Sequence, residues 1–308
     1  MRVLRKGVRG ISKQPLISVL VTVYNTEQYV GECLTSILAQ TYTNWEAIVI
    51  NDGSTDNSAH VLNEFATKDS RIHVFHQKNG GAGNAKNNAI RYARGEWLVW
   101  LDSDDYIDKT ALQEVAALAD TNVDIITLGM RPVGNETEIC KRAIKSICWD
   151  TMPSQYPDFF KQTFSNCELW LRAIKTSLVK EYDIKNDEGI HFEDIGFCLR
   201  LAAVTKQVRH TGKILYNYRV RTGSIVDDIV NNLKDCNVEK LQMLRNCMEW
   251  YDQKNVLSEV KDYLPHYFTQ IINRYLADTT QDERHLAFDF VREMETRYSM
   301  KLYEGNAD

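Results

Sequence analysis

Three carboxylates, Asp102, Asp104 and Asp105, follow directly on an apolar run at residues 97–101. A short, continuous apolar run of this kind forms a strand covered on both faces. In an open α/β sheet, ligands collect just beyond the carboxyl ends of such strands. An Asp-x-Asp at that edge offers hard oxygen ligands, suited to Mg2+ or Mn2+ carrying a phosphorylated substrate. The same acids equally suit a turn leading into a helix N-terminus, and this stretch alone does not separate the two. A second acidic pair, Glu193-Asp194, is set among Ile190, Phe192, Ile195 and Phe197. At a helix start adjacent residues point in different directions, so one acid can face a cleft while its neighbour caps the helix. His191, beside the pair, reads as a structural or exposed histidine.

The elements that must position these acids can be read from periodicity. Ile17–Val23 is β-branched and almost wholly apolar, which predicts a buried parallel strand. Residues 24–27 break it, and Asn25 or Thr26 can cap a helix carrying Val30, Cys33, Leu34, Ile37 and Leu38 at helical spacing. A second strand at 45–50 runs into a polar turn that contains Asp52. A helix over about 59–67, a strand at 71–76 and a Gly-rich stretch at 79–87 opening a further helix complete the pattern. Strand and helix alternate, which predicts a mostly parallel sheet with right-handed crossovers. Asp52 and the acids at 102–105 then end strands on one edge. Farther on, residues 167–174 read as a helix-like stretch, with Trp170 either an acceptor platform or packed on the sheet. From about residue 232, Leu233, Val238, Leu241, Leu244 and Trp250 share a helical face, and apolar helical spacing continues through 257–276 and 286–298. This helical C-terminal region either packs on the α/β part or mediates assembly, including a homo-oligomer.

Composition narrows the classes. The 308 residues are 44% hydrophobic and 26% charged, an ordinary globular balance with room for one large α/β domain and an appendage. A net charge of -5 argues against a nucleic-acid partner. No apolar run approaches the roughly 18 residues a bilayer span needs, and no signal-peptide pattern opens the chain. The seven scattered cysteines, without a Cys-x-x-Cys pair, fit reduced thiols in a cytoplasmic setting. Arg2, Arg5, Lys6, Arg9 and Lys13 make residues 1–14 a basic arm, either a solvated terminus or a contact with an anionic membrane surface.

Several motifs are excluded. A dinucleotide fingerprint beginning at Gly81 would require glycine where Lys86 stands, and would follow the first strand. No P-loop is present. An aspartyl phosphatase would carry its Asp-x-Asp on the first strand; here it ends the fourth apparent strand, with Tyr106 two residues beyond Asp104.

The run SVLVTVYNTEQYVGECLTSILAQTYTNWEAIVINDGSTDNS resembles the nucleotide-binding start of family 2 glycosyltransferases, which have the GT-A fold. Asn79-x-Gly81-x-x-x-Ala85-Lys86-Asn87 and Leu101-Asp102-Ser103-Asp104-Asp105 match that family's later donor-site motifs in order and spacing, and the resemblance covers about residues 17–226. The family more often has Pro at Thr22, Arg at Lys86 and Gly at Ala89. The resemblance implies an α/β Rossmann-like sheet flanked by helices over residues 15–228, with a donor half at 15–106 and an acceptor half at 107–228. A helical region at 229–308 follows. It implies that Thr22 and Tyr24 line a base pocket and that Asp52 accepts an imide N–H, which favours uracil or thymine; the other reading of Asp52 is a helix cap. Asp102 and Ser103 would lie at the ribose side, and Asp104 would ligate Mn2+ or Mg2+ bridging a diphosphate. Asp105 has the other reading of a cap. Lys86 would approach ribose or phosphates, or be a surface lysine. Asp194 would be the general base, with Glu193 in support. Arg221 and Ser224 would reach the diphosphate or gate the site, or simply form a surface turn.

The implied activity is inverting transfer from a nucleotide-diphosphate sugar, a UDP-sugar first, to a hydroxyl on a glycan or lipid-linked sugar in polysaccharide biosynthesis. The implied setting is cytoplasmic, with peripheral contact at the inner face of the membrane. The alternatives are an inactive nucleotide-sugar-binding partner subunit, which would have lost a metal or base carboxylate, and a sugar-1-phosphate nucleotidylyltransferase, which would need an N-terminal Gly-rich loop where residues 23–26 stand.

Overall fold

The computed structural model describes residues 14–134, 168–191, 193–221, 237–278 and 284–305. In chain order the first half contains β1 (Ile17–Val23), α1 (Val30–Leu38), β2 (Trp45–Asp52), α2 (Ser58–Lys68), β3 (Ile72–Gln77), α3 (Ala82–Tyr92) and β4 (Trp97–Trp100). Then come β5 (Tyr106–Ile107), α4 (Ala111–Leu118), β6 (Ile125–Gly134), β7 (Arg172–Lys175), α5 (Thr176–Glu181), α6 (Glu193–Val204) and β8 (Val208–Val220). The C-terminal helices are α7 (Asn237–Gln253), α8 (Leu257–Val260), α9 (Leu264–Asp278) and α10 (Arg284–Tyr298).

Among the described residues the strands form one sheet in the order β3-β2-β1-β4-β7-β6-β8-β5. The first four are parallel to one another, as the alternation of strand and helix predicts. β1 lies between β2 and β4 with every side chain buried except the half-buried Thr22, so it must be apolar on both faces. Each such Val, Leu or Ile contributes about 1.5–3 kcal/mol by leaving water. β7 then runs antiparallel to both β4 and β6. This corrects the helix-like reading of 167–174, which is a 3₁₀ turn at Leu169–Leu171 leading into β7. The strand wins because the facing edges of β4 and β6 each need a partner for their backbone N–H and C=O groups.

The start of α1 differs from expectation as well. Neither Asn25 nor Thr26 caps it through a side chain. Asn25 takes a left-handed φ of 53°. The Thr26 carbonyl accepts from the N–H groups of Tyr29 and Val30 at 2.9 and 3.0 Å, which leaves its hydroxyl for another task. At the opposite end of the strands, Ser18 binds two partners. Its hydroxyl donates to Glu46 Oε1 at 2.7 Å and accepts from the Gly95 N–H at 2.8 Å, in a position with no solvent access.

The apolar core is continuous from the sheet into the C-terminal helices. α7 lies against α6: the Tyr251 hydroxyl donates to the Leu199 carbonyl at 3.2 Å, and the Cys247 thiol contacts the Gly196 carbonyl at 3.7 Å. α7 and α10 are tied by Arg245 with Glu293 and by Arg297 with Glu249. Residues 1–13 of the basic arm, and Ser224, lie outside the described residues.

Candidate active site

The carboxyl ends of β1 and β2 carry two interlocked loops. Asn25 Oδ1 accepts from the Thr55 N–H at 2.8 Å, the Glu27 N–H donates to Asp56 Oδ2 at 3.0 Å, and the Asn57 N–H donates to Glu27 Oε2 at 2.6 Å. This reciprocal bonding fixes Tyr24, which is 51% exposed, above the end of β1. Asp52 ends β2 and is buried, and its carboxylate already works inside the protein. Oδ1 accepts from Gln77 Nε2 and from the Gly80 N–H, both at 2.8 Å, and Oδ2 accepts from the Gly81 N–H at 2.9 Å. A carboxylate has about four acceptor positions, so one remains for a ligand. Gly81, at φ 85°, turns the chain into α3 at this point.

The acids after β4 divide into distinct roles. Asp105 is buried; it accepts from the Tyr216 hydroxyl at 2.7 Å and from the Arg219 N–H at 2.6 Å. Burial, with Asp102 and Asp104 close by, holds its carboxyl well above the usual range. It anchors β8 to the end of β4. Ser103 is also buried, and its hydroxyl oxygen accepts from the Thr26 hydroxyl at 3.0 Å. The Asp104 carboxylate is more open; Oδ2 accepts from Arg221 Nε at 2.7 Å, and the Asp104 carbonyl accepts from Arg219 Nε at 2.8 Å. Asp102 is pushed up to about 6 by burial and by the carboxylates of Asp104, Asp194 and Glu193, with the Lys86 ammonium pulling the other way.

Lys86 projects from α3 to the start of α6, where its Nζ donates to Glu193 Oε1 at 2.6 Å. Both side chains are largely out of water, at 12% and 10% exposure. Burial opposes the ammonium charge, but the carboxylates of Glu193, Asp194 and Asp102 outweigh it and hold the Lys86 pKa above its ordinary value. Asp194 lies next to this pair in the first turn of α6. Burial and the Glu193 carboxylate raise it to about 6, against the pull of Lys86. It is therefore ionised at neutral pH and still basic enough to take a proton, which is the condition for a general base. A further acid, Glu168, precedes the 3₁₀ turn. Burial lifts it to about 7, and among the described residues its Oε2 has no hydrogen-bond partner. His191 pairs instead with Glu239 of α7 at 2.9 Å. Trp170 is packed against Tyr216 and Tyr218, at 4.5 and 5.3 Å between ring centres, which is the packing alternative of the two readings.

Among the described residues no group of three His, Cys, Asp or Glu side chains is placed to hold a cation. A Mg2+-like ion that arrives with a diphosphate takes one or two carboxylates and fills its shell with phosphate oxygens and water. Asp104, with Asp102 two residues away, supplies that number of hard oxygen donors, and Asp102 stands among carboxylates that raise its pKa, so added positive charge would be favourable beside it.

A family model described as Glycosyl transferase family 2 matches residues 18–181. This chain belongs to that family. Glycosyltransferase GlyG of Streptococcus pneumoniae serotype 4 is 32% identical over 225 residues, a stretch that covers 68% of this chain and 73% of GlyG. The uncharacterized glycosyltransferase EpsJ of Bacillus subtilis is 30% identical over 219 residues, covering 69% of this chain and 63% of EpsJ. The match thus spans less than two thirds of that relative's length. The crystal structure of S. aureus TarS 1–349 in complex with UDP-GlcNAc matches with a TM-score of 0.71 at 20% identity, covering 90% of this chain and 80% of that one. The fold is thus the GT-A arrangement.

In this family 2 chain the structure brings Lys86, Asp102, Glu193 and Asp194 into one electrostatic group and joins Arg221 to Asp104. Sequence reasoning missed Arg219, which holds both Asp104 and Asp105. The signal was available: Arg219 and Arg221 are two residues apart on an extended run and so share one face. It also missed Glu168, the Lys86 partnership with Glu193, and the polar face of α3. Those contacts join residues about a hundred positions apart, and no local pattern reports them.

Proposed function

We propose that this chain is an inverting glycosyltransferase that moves a sugar from a nucleoside-diphosphate sugar, UDP-sugar first, onto a hydroxyl of a growing polysaccharide or other glycan. The observation that carries the reading is the Lys86 bridge, which draws the strand-end acids of the donor edge and the α6 acids into one group. Transfer with inversion forms a bond from the acceptor oxygen to the anomeric carbon as the bond to the diphosphate oxygen breaks. Asp194 takes the acceptor hydroxyl's proton in that step. Lys86 keeps the neighbouring acids from neutralising Asp194, and Glu193 keeps Lys86 in place. Asp104, with Asp102 beside it, would hold a divalent ion, which would supply compensation for the charge developing on the departing nucleoside diphosphate. Arg221, which now holds Asp104, is suited to bidentate phosphate contacts. Asp52 has one acceptor position left for a base imide, which supports uracil or thymine, and Tyr24 gives the base an aromatic face.

The TarS complex with UDP-GlcNAc supports a UDP-sugar as the first donor to try. We take residues 15–106 as the donor half, 107–228 as the acceptor half and 229–308 as the helical region. We take the enzyme to work in the cytoplasm, at or near the membrane face where lipid-linked glycans are extended. Among the described residues no helix is long and apolar enough to cross a membrane. The test is to incubate the protein with Mn2+, a panel of UDP-sugars and sugar-alcohol acceptors. UDP release and the anomeric configuration of the product, by NMR, are then followed. Release with an inverted anomer is the expected result. A retained anomer, or nucleoside monophosphate in place of UDP, would overturn it.

A further inference from the structure

α3 does more than present Lys86. Asn87, on the next position, turns its side-chain amide toward residues 186–188, the stretch leading into α6. Its Nδ2 donates to the Asn186 carbonyl at 3.0 Å and to Glu188 Oε1 at 2.9 Å, while its Oδ1 accepts from the Asn186 N–H at 2.8 Å. The amide therefore pairs with both backbone groups of Asn186, as a neighbouring strand would. Asn84, three residues earlier and on the same helical face, donates to the other oxygen of Glu188 at 3.0 Å. Gly83 allows this close approach, because a Cβ there would run into the Asp187 carbonyl. At its N-terminal end α3 is fastened to β2 through Asp52, which holds the Gly80 and Gly81 N–H groups. One helix thus links the donor edge of the sheet to the segment carrying the acids of α6. The far side of that segment is held separately, where Asp187 Oδ1 accepts from Arg200 at 2.7 Å and from Asn246 of α7 at 3.0 Å.

We propose that Asn87 is a positioning residue for the general base: by clamping residues 186–188 to α3, it sets where Asp194 stands relative to the donor. The inference rests on the glycosyltransferase reading above. Only an amide at this length offers a donor and an acceptor at once; a carboxylate would meet Glu188 with like charge, and an aliphatic chain would offer neither. Because Asp187, Arg200 and Asn246 still hold the other side, loss of the clamp loosens the segment and leaves the fold in place.

The test compares wild type, Asn87→Leu, Asn87→Asp, and Asn87→Asp combined with Glu188→Gln, in the full chain. The readouts are kcat at saturating donor, UDP affinity in Mn2+ by calorimetry, and hydrogen exchange of the amides at 186–191. The expected result is a fall in kcat of about 10²-fold for Asn87→Leu, the scale of a 1 Å misplacement, with UDP affinity unchanged and faster exchange at 186–191. Asn87→Asp should fall likewise, and Glu188→Gln should restore much of the loss by removing the repulsion and returning a donor. An unchanged kcat, a parallel loss of kcat and UDP affinity, or no rescue by Glu188→Gln overturns the proposal. If wild type neither binds nucleotide nor turns over, the enzymatic reading fails on its own, and hydrogen exchange still decides whether Asn87 holds the segment.

Discussion

Replacing Lys86 with methionine removes the ammonium that Glu193, Asp194 and Asp102 share while keeping an unbranched chain of similar length. Lys86 and Glu193 are 12% and 10% exposed, so solvent screens them little. Breaking a buried pair from one side costs about 3–5 kcal/mol, because the remaining charge has no partner. At about 2 °C per kcal/mol for a chain of this size, that is a fall of roughly 6–10 °C in Tm. The pH dependence is the sharper test. In the native protein burial and the neighbouring carboxylates already push Asp102 and Asp194 up to about 6, well above an ordinary aspartate. Acids raised by folding bind more protons in the native state than in the unfolded one. Their contribution is fully present below the unfolded value and is lost as pH rises through the folded value. Without Lys86 their folded values climb further, so that loss deepens toward alkaline pH. Urea midpoints for both proteins at about pH 5 and about pH 8 should therefore show a large deficit at the higher pH that shrinks at the lower one. An equal deficit at both, or one below about 1 kcal/mol, the level of an exposed pair, would refute the electrostatic account of this cluster.

Asp194→Asn should lower kcat by about 10²–10⁴-fold, the range for loss of a general base, with UDP affinity intact in calorimetry. In wild type, kcat/KM should rise with pH through about 6, where Asp194 loses its proton, and then level; a flat profile would contradict the assignment. Ser18→Ala should cost about 1–3 kcal/mol in urea denaturation, because it strips a bond from buried Glu46 and leaves the Gly95 N–H without its acceptor. The loss should grow above the unfolded glutamate pKa: although burial opposes it, hydrogen bonds from Ser18 and Arg94 hold Glu46 below its usual range, and that stabilisation disappears as pH falls. An unchanged midpoint would show that the bonds are replaced by solvent.

The parallel half of the fold could be read because its strands are buried on both faces, so Ile17–Val23 and the run at 97–101 are uninterrupted apolar segments bounded by polar turns. β7 could not. Trp170 and Ile174 are also spaced as on a helix, and only the facing edges of β4 and β6 decide for a strand. The acids of the site were legible as residue types at strand ends. Their division of labour was not, because it depends on who reaches them. Asp105 is an anchor for Tyr216 and Arg219, Asp104 is held by Arg221, and Asp52 spends most of its acceptor positions on Gln77, Gly80 and Gly81. The partnership of Lys86 with Glu193, 107 residues apart, has no trace in local periodicity.

The central claim is that Asp104 carries a metal-bound nucleoside diphosphate, and calorimetric titration of UDP tests it most directly. The titration is run with Mn2+ and with EDTA, on wild type and on Asp104→Asn. The account predicts binding in Mn2+ that EDTA and the substitution each abolish. Binding that survives both would separate Asp104 from the metal, and the absence of binding by UDP, TDP and GDP alike would contradict the donor site itself.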